Sequence, residues 1–217
     1  MRLLVALLTF TLGSCACSRP VHPERPRLRQ IPPELASELR QLPGSGPRQW
    51  RPGAFPLLVR LDPRLPDEYK RNMRAAARIW NESAGVRLFV VAEEAPGTPG
   101  VLFYGEVRVT EEDLGINPLT GTRALGNTST RARVSGEMIY ARIQLDSDLA
   151  YYLLLPTCLH ELGHALGLAH DDEEKRSIMY PRVGHMLQTI EPKDITAVVF
   201  QTHPQPFAFL MNVRDGG

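Results

Sequence analysis

Three of the chain's six histidines fall in one short stretch, His160-Glu161-Leu162-Gly163-His164-Ala165-Leu166-Gly167-Leu168-Ala169-His170-Asp171. If the segment is helical, His160 and His164 lie on one face, one turn apart, and both imidazoles can reach a single ion. Zinc takes about four tetrahedral ligands, with nitrogen donors at about 2.0–2.1 Å, so two histidines make an incomplete site. Gly167 can adopt positive φ, end the helix and fold the chain back, returning His170 as a third ligand. Three protein ligands leave a fourth position for water, the catalytic rather than the structural arrangement. Glu161 neighbours a ligand without having to bind the metal, so its carboxylate is free to act as a base toward a metal-acidified water. Average residue usage puts the chance occurrence of this pattern on the order of 1 in 10⁵.

The elements that must position these residues can be read from the pattern around them. Leu57 to Leu61 reads as a strand. Pro66 and Asp67 open a helix whose Tyr69, Met73, Ala76 and Trp80 share one face, and Gly85 closes it. Val86 to Val91 and Val101 to Val107 are apolar and rich in β-branched residues, as strands are. Ala124 to Thr130 reads as an edge strand. Glu137 to Leu145 alternates, with Ile139, Ala141, Ile143 and Leu145 on one face. The histidine-bearing helix is expected over Leu154 to Leu166, with Pro156 in its first turn. A final helix is expected from Pro192 to Gln201.

Residues His160 to His170 match the HExxHxxGxxH signature and so resemble the metzincin zinc proteases. Ser177-Ile178-Met179-Tyr180-Pro181, just beyond, is similar to the Met-turn of that clan. The aspartate after the third histidine and the Met-Tyr-Pro order resemble the matrixins, most of all their bacterial members. The similarity extends from Gly53 to Gln201. Ala77 to Trp80 with Gly85 to Phe89 resembles the first helix and second strand, Gly136 to Asp146 the last sheet strand, and Thr189 to Phe200 the closing helix. The resemblance implies an α+β zincin fold: a twisted, mixed five-stranded sheet with three helices, the active-site helix followed by the Met-turn. It further implies one catalytic Zn2+ on His160, His164 and His170, Glu161 as general base and acid, Met179 packing beneath the metal, and a protein or peptide substrate lying along the edge near Ala124 to Thr130. No inhibitory cysteine-switch segment of the animal matrixins is present upstream. Leu114 to Arg131 lacks the family's acidic and histidine ligand pattern, so additional structural Zn2+ or Ca2+ is not expected there. Tyr180 is not assigned as a ligand, and His185 is expected at a pocket wall.

The rest of the chain says where such a domain would work. It has 217 residues, 43% hydrophobic and 23% charged, with net charge +1. That composition excludes a mainly disordered or fibrous chain, and the balanced charge gives no pull toward nucleic acid. Arg2, the apolar run Leu3 to Leu12 and the small residues Gly13 and Ser14 follow the plan of an export signal over 1–14. Leu12-Gly13-Ser14-Cys15 resembles a lipobox, which predicts lipidation of Cys15 and anchoring of the exported chain to a bacterial cell envelope. Residues 15–52 read as a tether: Pro20 to Pro56 holds nine of the nineteen prolines, and Arg19 to Arg51 carries seven arginines against three glutamates. The catalytic domain is expected over 53–203 and a tail over 204–217. Cys158 falls in an apolar helix and is expected to be a buried, inert thiol. A monomer is expected. Three other readings compete. One is a thermolysin-like protease with Glu191 as third ligand. Another is an envelope lipoprotein that binds zinc without cleaving, against which the intact Glu161 argues. The third is a protein whose tether does the work by docking on the envelope, with proteolysis incidental.

Overall fold

The computed structural model describes residues 49–95, 97–98, 100–116, 121–182 and 188–202. The expected signal, Cys15, nearly all of the tether, His185 and the tail lie outside the described residues. The described part holds five strands, β1 (Leu57–Leu61), β2 (Phe89–Glu93), β3 (Glu106–Glu112), β4 (Gly126–Ala132) and β5 (Met138–Asp146). Three helices accompany them: α1 (Asp67–Ala84), α2 (Tyr151–Ala165) and α3 (Pro192–Thr202).

The strands form one mixed sheet in the order β2-β1-β3-β5-β4. The first four run parallel, and β4 pairs antiparallel with β5 at one edge. α1 packs against β2 and α2 against β4 and β5, while the two helices pack on each other. This is the α+β arrangement expected, a five-stranded mixed sheet with three helices. β1 and β5 supply the centre of the core through Leu57, Val59, Leu61, Ala141, Ile143 and Leu145, all fully buried.

α1 begins after Pro66 and closes at Gly85, whose φ of 66° is the left-handed cap that glycine adopts without strain. Tyr69, Met73, Ala76 and Trp80 form its buried face as the spacing predicts. Two strands start later than the apolar runs suggest. Val86 to Leu88 lie before β2: Asn81 Oδ1 accepts from the N–H groups of Leu88 and Phe89, at 2.8 and 2.9 Å, and the first bond to β1 is Leu57 N–H to Leu88 O at 2.8 Å. Val101 to Tyr104 stay outside β3 because the chain turns at Gly105, where φ is 80°. Pro156 is a further difference: α2 begins at Tyr151, which places the proline beyond the first turn. Its missing N–H would face the helix's exposed start, where Tyr151 and Tyr152 are each 75% exposed and water can serve the freed carbonyl.

The fold also reaches back beyond Gly53. Gln49 bridges to Glu137 beside β5, and Trp50 is buried with its indole N–H donating to Ala165 O at 2.8 Å. A second indole, Trp80 Nε1–H, donates to Leu159 O at 3.0 Å. Two tryptophans thus pin the middle and the C-terminal end of α2.

Candidate metal centre

α2 carries His160, Glu161 and His164, and the chain must reverse to bring His170 to them. The reversal occurs at Gly167, with φ of 95°, where Leu168 N–H bonds back to Gly163 O at 3.0 Å and Gly167 N–H to His164 O at 2.9 Å. Only glycine takes that φ readily. Asp171 N–H then bonds Met179 O at 2.9 Å, which ties the segment after His170 to the turn that follows it.

The three imidazoles converge. His160 Nε2 lies 3.0 Å from His164 Nε2 and 3.3 Å from His170 Nε2. Four nitrogens placed tetrahedrally about zinc at its usual bond length stand about 3.3 Å apart. The inner nitrogens decide what the outer ones offer. His160 Nδ1 sits 2.6 Å from Ile178 O, and His164 Nδ1 2.8 Å from Leu168 O. A carbonyl only accepts, so each Nδ1 carries the proton and each Nε2 presents a lone pair. Lone pairs facing one another at 3.0 Å repel unless a cation sits among them, so the donor set fits a metal ion. Burial, with the neighbouring His164, pushes His160 down to about 4, and burial lowers His164 as well, so both are neutral donors near pH 7.

Glu161 is 4% exposed, and burial pushes its carboxyl up to about 7 against the opposing pull of Thr128. Thr128 Oγ1–H donates to Glu161 Oε2 at 2.5 Å. Met179 is 1% exposed and sits against α2 at Gly163. The turn holding it is braced from α3. Met179 N–H bonds Ser177 Oγ at 3.0 Å, Ser177 Oγ–H donates to Asp194 Oδ2 at 3.2 Å, and Asp194 Oδ2 also accepts from Glu191 N–H at 2.9 Å. Asp194 is therefore more than an acidic residue in a helix's first turn: it is 6% exposed, and burial raises its carboxyl. Lys193 pairs with Asp171, so the residue after the third histidine is also held from α3.

His160, His164 and His170 are the one His/Cys/Asp/Glu group with metal-ligand spacing among the described residues. Glu191 stands elsewhere, its Oε1 accepting from Thr189 Oγ1 at 2.7 Å. Cys158 is a free thiol with no exposure, and burial raises its pKa, as befits an inert core sulfur. The matrixin family model matches residues 66–199.

The chain belongs to the matrixin family. The metzincin resemblance read from the motif stands, and this matrixin's triad of imidazoles is a zinc site. Among solved structures it is similar to high choriolytic enzyme 1, a hatching enzyme zinc-protease from Oryzias latipes (medaka fish), at 16% identity and TM-score 0.33, covering 56% of this chain and 50% of that one. It thus spans about half the length of that relative. No curated protein matches it.

Sequence reasoning missed Gly126 and Thr128 of β4 as residues of the site. Alternation places both on one face of the strand, but nothing in the pattern says that this face meets Glu161.

Proposed function

We propose that this matrixin is a zinc-dependent endopeptidase that hydrolyses peptide bonds with Glu161 as general base and then general acid. The observation that carries this reading is the convergence of three histidine Nε2 atoms, with the buried carboxyl of Glu161 next to His160 on α2. His160, His164 and His170 would hold the zinc, which would supply Lewis acidity to polarise a carbonyl and acidify water. Glu161 takes a proton from water as the water oxygen bonds the scissile carbonyl carbon, and gives that proton to the amine nitrogen, which leaves with the electron pair of the broken C–N bond. Met179, packed against α2 at Gly163, would support the helix turn that carries His160 and His164.

The peptide is positioned by β4. Among the described strands it lies at the sheet's edge and pairs with β5, so its outer side is where an extended peptide would add as a strand. The polar residues Asn127, Ser129 and Arg131 are its exposed ones.

Glu161→Gln keeps the shape of the side chain and removes the base. It is expected to retain one zinc per chain while cleavage of a casein-type substrate falls by about 10²–10⁴-fold. Equal cleavage by the variant would refute the base. Undetectable cleavage by the parent, with zinc bound, would favour a zinc-binding protein that does not cleave.

We further propose that the chain is exported and held at a bacterial envelope by lipid on Cys15, with residues 15–52 as the tether of a catalytic domain over 53–203. The lipobox-like Leu12 to Cys15 and the proline- and arginine-rich composition support this. No described helix is long and apolar enough to cross a membrane. Cys15→Ser should move the protein from the membrane to the soluble fraction; unchanged partitioning would overturn the anchor.

A further inference from the structure

The carboxylate of Glu161 does not stand free in the cleft; it is seated on the edge strand. We propose that Thr128 is a positioning residue for the base: its hydroxyl fixes one oxygen of Glu161, and Gly126 leaves the room in which the other lies. The inference rests on the reading of Glu161 as the base.

Two independent observations support it. Thr128 Oγ1 is 2.5 Å from Glu161 Oε2 and 3.2 Å from Glu161 O. The carboxylate accepts only, so the hydroxyl donates, and a hydrogen bond to an ionised oxygen is among the shorter and stronger kinds. Gly126 lies two residues earlier on the same face of β4. A Cβ there would stand 2.6 Å from Glu161 Oε1 and 2.8 Å from its Cδ and Cγ. Gly126 is absent from the glycines with positive φ, so its backbone does not call for glycine. Glycine interrupts a strand at some cost, and here its missing side chain is the space that the carboxylate fills. The contact is local to this pair: Thr128 meets Glu161 across the α2–β4 packing, where β4 is also anchored to β5.

The consequence is a division of labour between the two oxygens. Oε2 is held by a fixed donor that comes from the strand expected to bind substrate. The position of the other oxygen follows, because the carboxylate is planar. Base, edge strand and incoming peptide then share one reference frame. A displacement of about 1 Å in such a frame can cost about 10²-fold in rate.

The test uses Thr128→Val, Thr128→Ser and Gly126→Ala in the full chain, with kcat and KM on a fluorogenic peptide, zinc content and thermal midpoint for each. Thr128→Val keeps the shape and removes the donor. Its kcat is expected to fall about 10- to 100-fold with KM and zinc content unchanged, the signature of a lost transition-state arrangement. Thr128→Ser should restore kcat close to the parent value. Gly126→Ala should lower kcat in the same way, and a crystal structure of either impaired variant should show the Glu161 side chain moved. Thr128→Val in the Glu161→Gln background should bring no further loss, because no base remains to be placed. Parent-like kcat in Thr128→Val, or a Ser variant no better than Val, would overturn the positioning role. If Glu161→Gln itself cleaves like the parent, the underlying reading of the base fails instead, and the two failures are told apart.

Discussion

His160 and His164 each spend one ring nitrogen on a backbone carbonyl, and this choice of tautomer makes the other nitrogen a ligand. Loss of a hydrogen-bond partner behind a metal ligand already costs about 10–100-fold in metal affinity, so His170→Ala, which removes a ligand outright, should cost more than about 100-fold. Competition with a zinc chelator measures it. Glu191→Ala should leave the affinity unchanged; the opposite pattern would favour the thermolysin-like reading. Gly163 sets two effects against each other. In a helix interior, alanine is better than glycine by about 1 kcal/mol. Here a Cβ would overlap Met179 Sδ and come within 3.3 Å of Trp80 Cζ2. Overpacking a tight core costs about 1–3 kcal/mol, so packing wins and Gly163→Ala should lower the urea midpoint. The sequence displayed the histidines because metal coordination demands fixed spacing along one helix. It hid Thr128 because a hydrogen bond across two elements leaves no spacing rule behind.

At the scale of the elements, α2 is clamped where it must not drift: Trp80 bonds Leu159 O next to His160, and Trp50 bonds Ala165 O next to His164. α1 and β1 were legible from periodicity and from the Pro66 and Gly85 boundaries, since a local cap needs only local residues. β2 and β3 start later than their apolar runs: Asn81, outside the first run, binds the N–H groups where β2 begins, and Gly105, within the second, turns the chain before β3. The end of β5 offers a test through pH. Burial would raise Asp146, but the Arg123 guanidinium at 2.9 Å and the N–H groups of Asp148 and Leu114 hold its carboxyl below its ordinary 3.8. For a lowered carboxyl pKa, the stabilisation is complete above 3.8 and is lost as pH falls through the folded value. Arg123→Leu should therefore be less stable than the parent at neutral pH, and the gap should narrow in melts carried below pH 3.8.

For the molecule as a whole, the zinc site is a brace between a helix and the chain that doubles back from its end. It joins the interior helix to the chain after Gly167, and α3 reinforces that chain through Asp194–Ser177 and Lys193–Asp171. Metal that binds only the folded state stabilises by mass action, about 4 kcal/mol at a free concentration 1,000 times Kd. For a domain of this size that is on the order of 10 °C in Tm. A chelator titration followed by calorimetry should show Tm falling with free zinc, and added zinc should restore both Tm and cleavage. The lone antiparallel strand at the rim of the sheet has its own corollary. A peptide added along it would be held by the main chain, which every protein shares, and so without discrimination. The selectivity of the proposed protease would then be written in the hollows that receive side chains, and exchanging those hollows should redirect where it cuts while leaving how firmly it holds a backbone untouched.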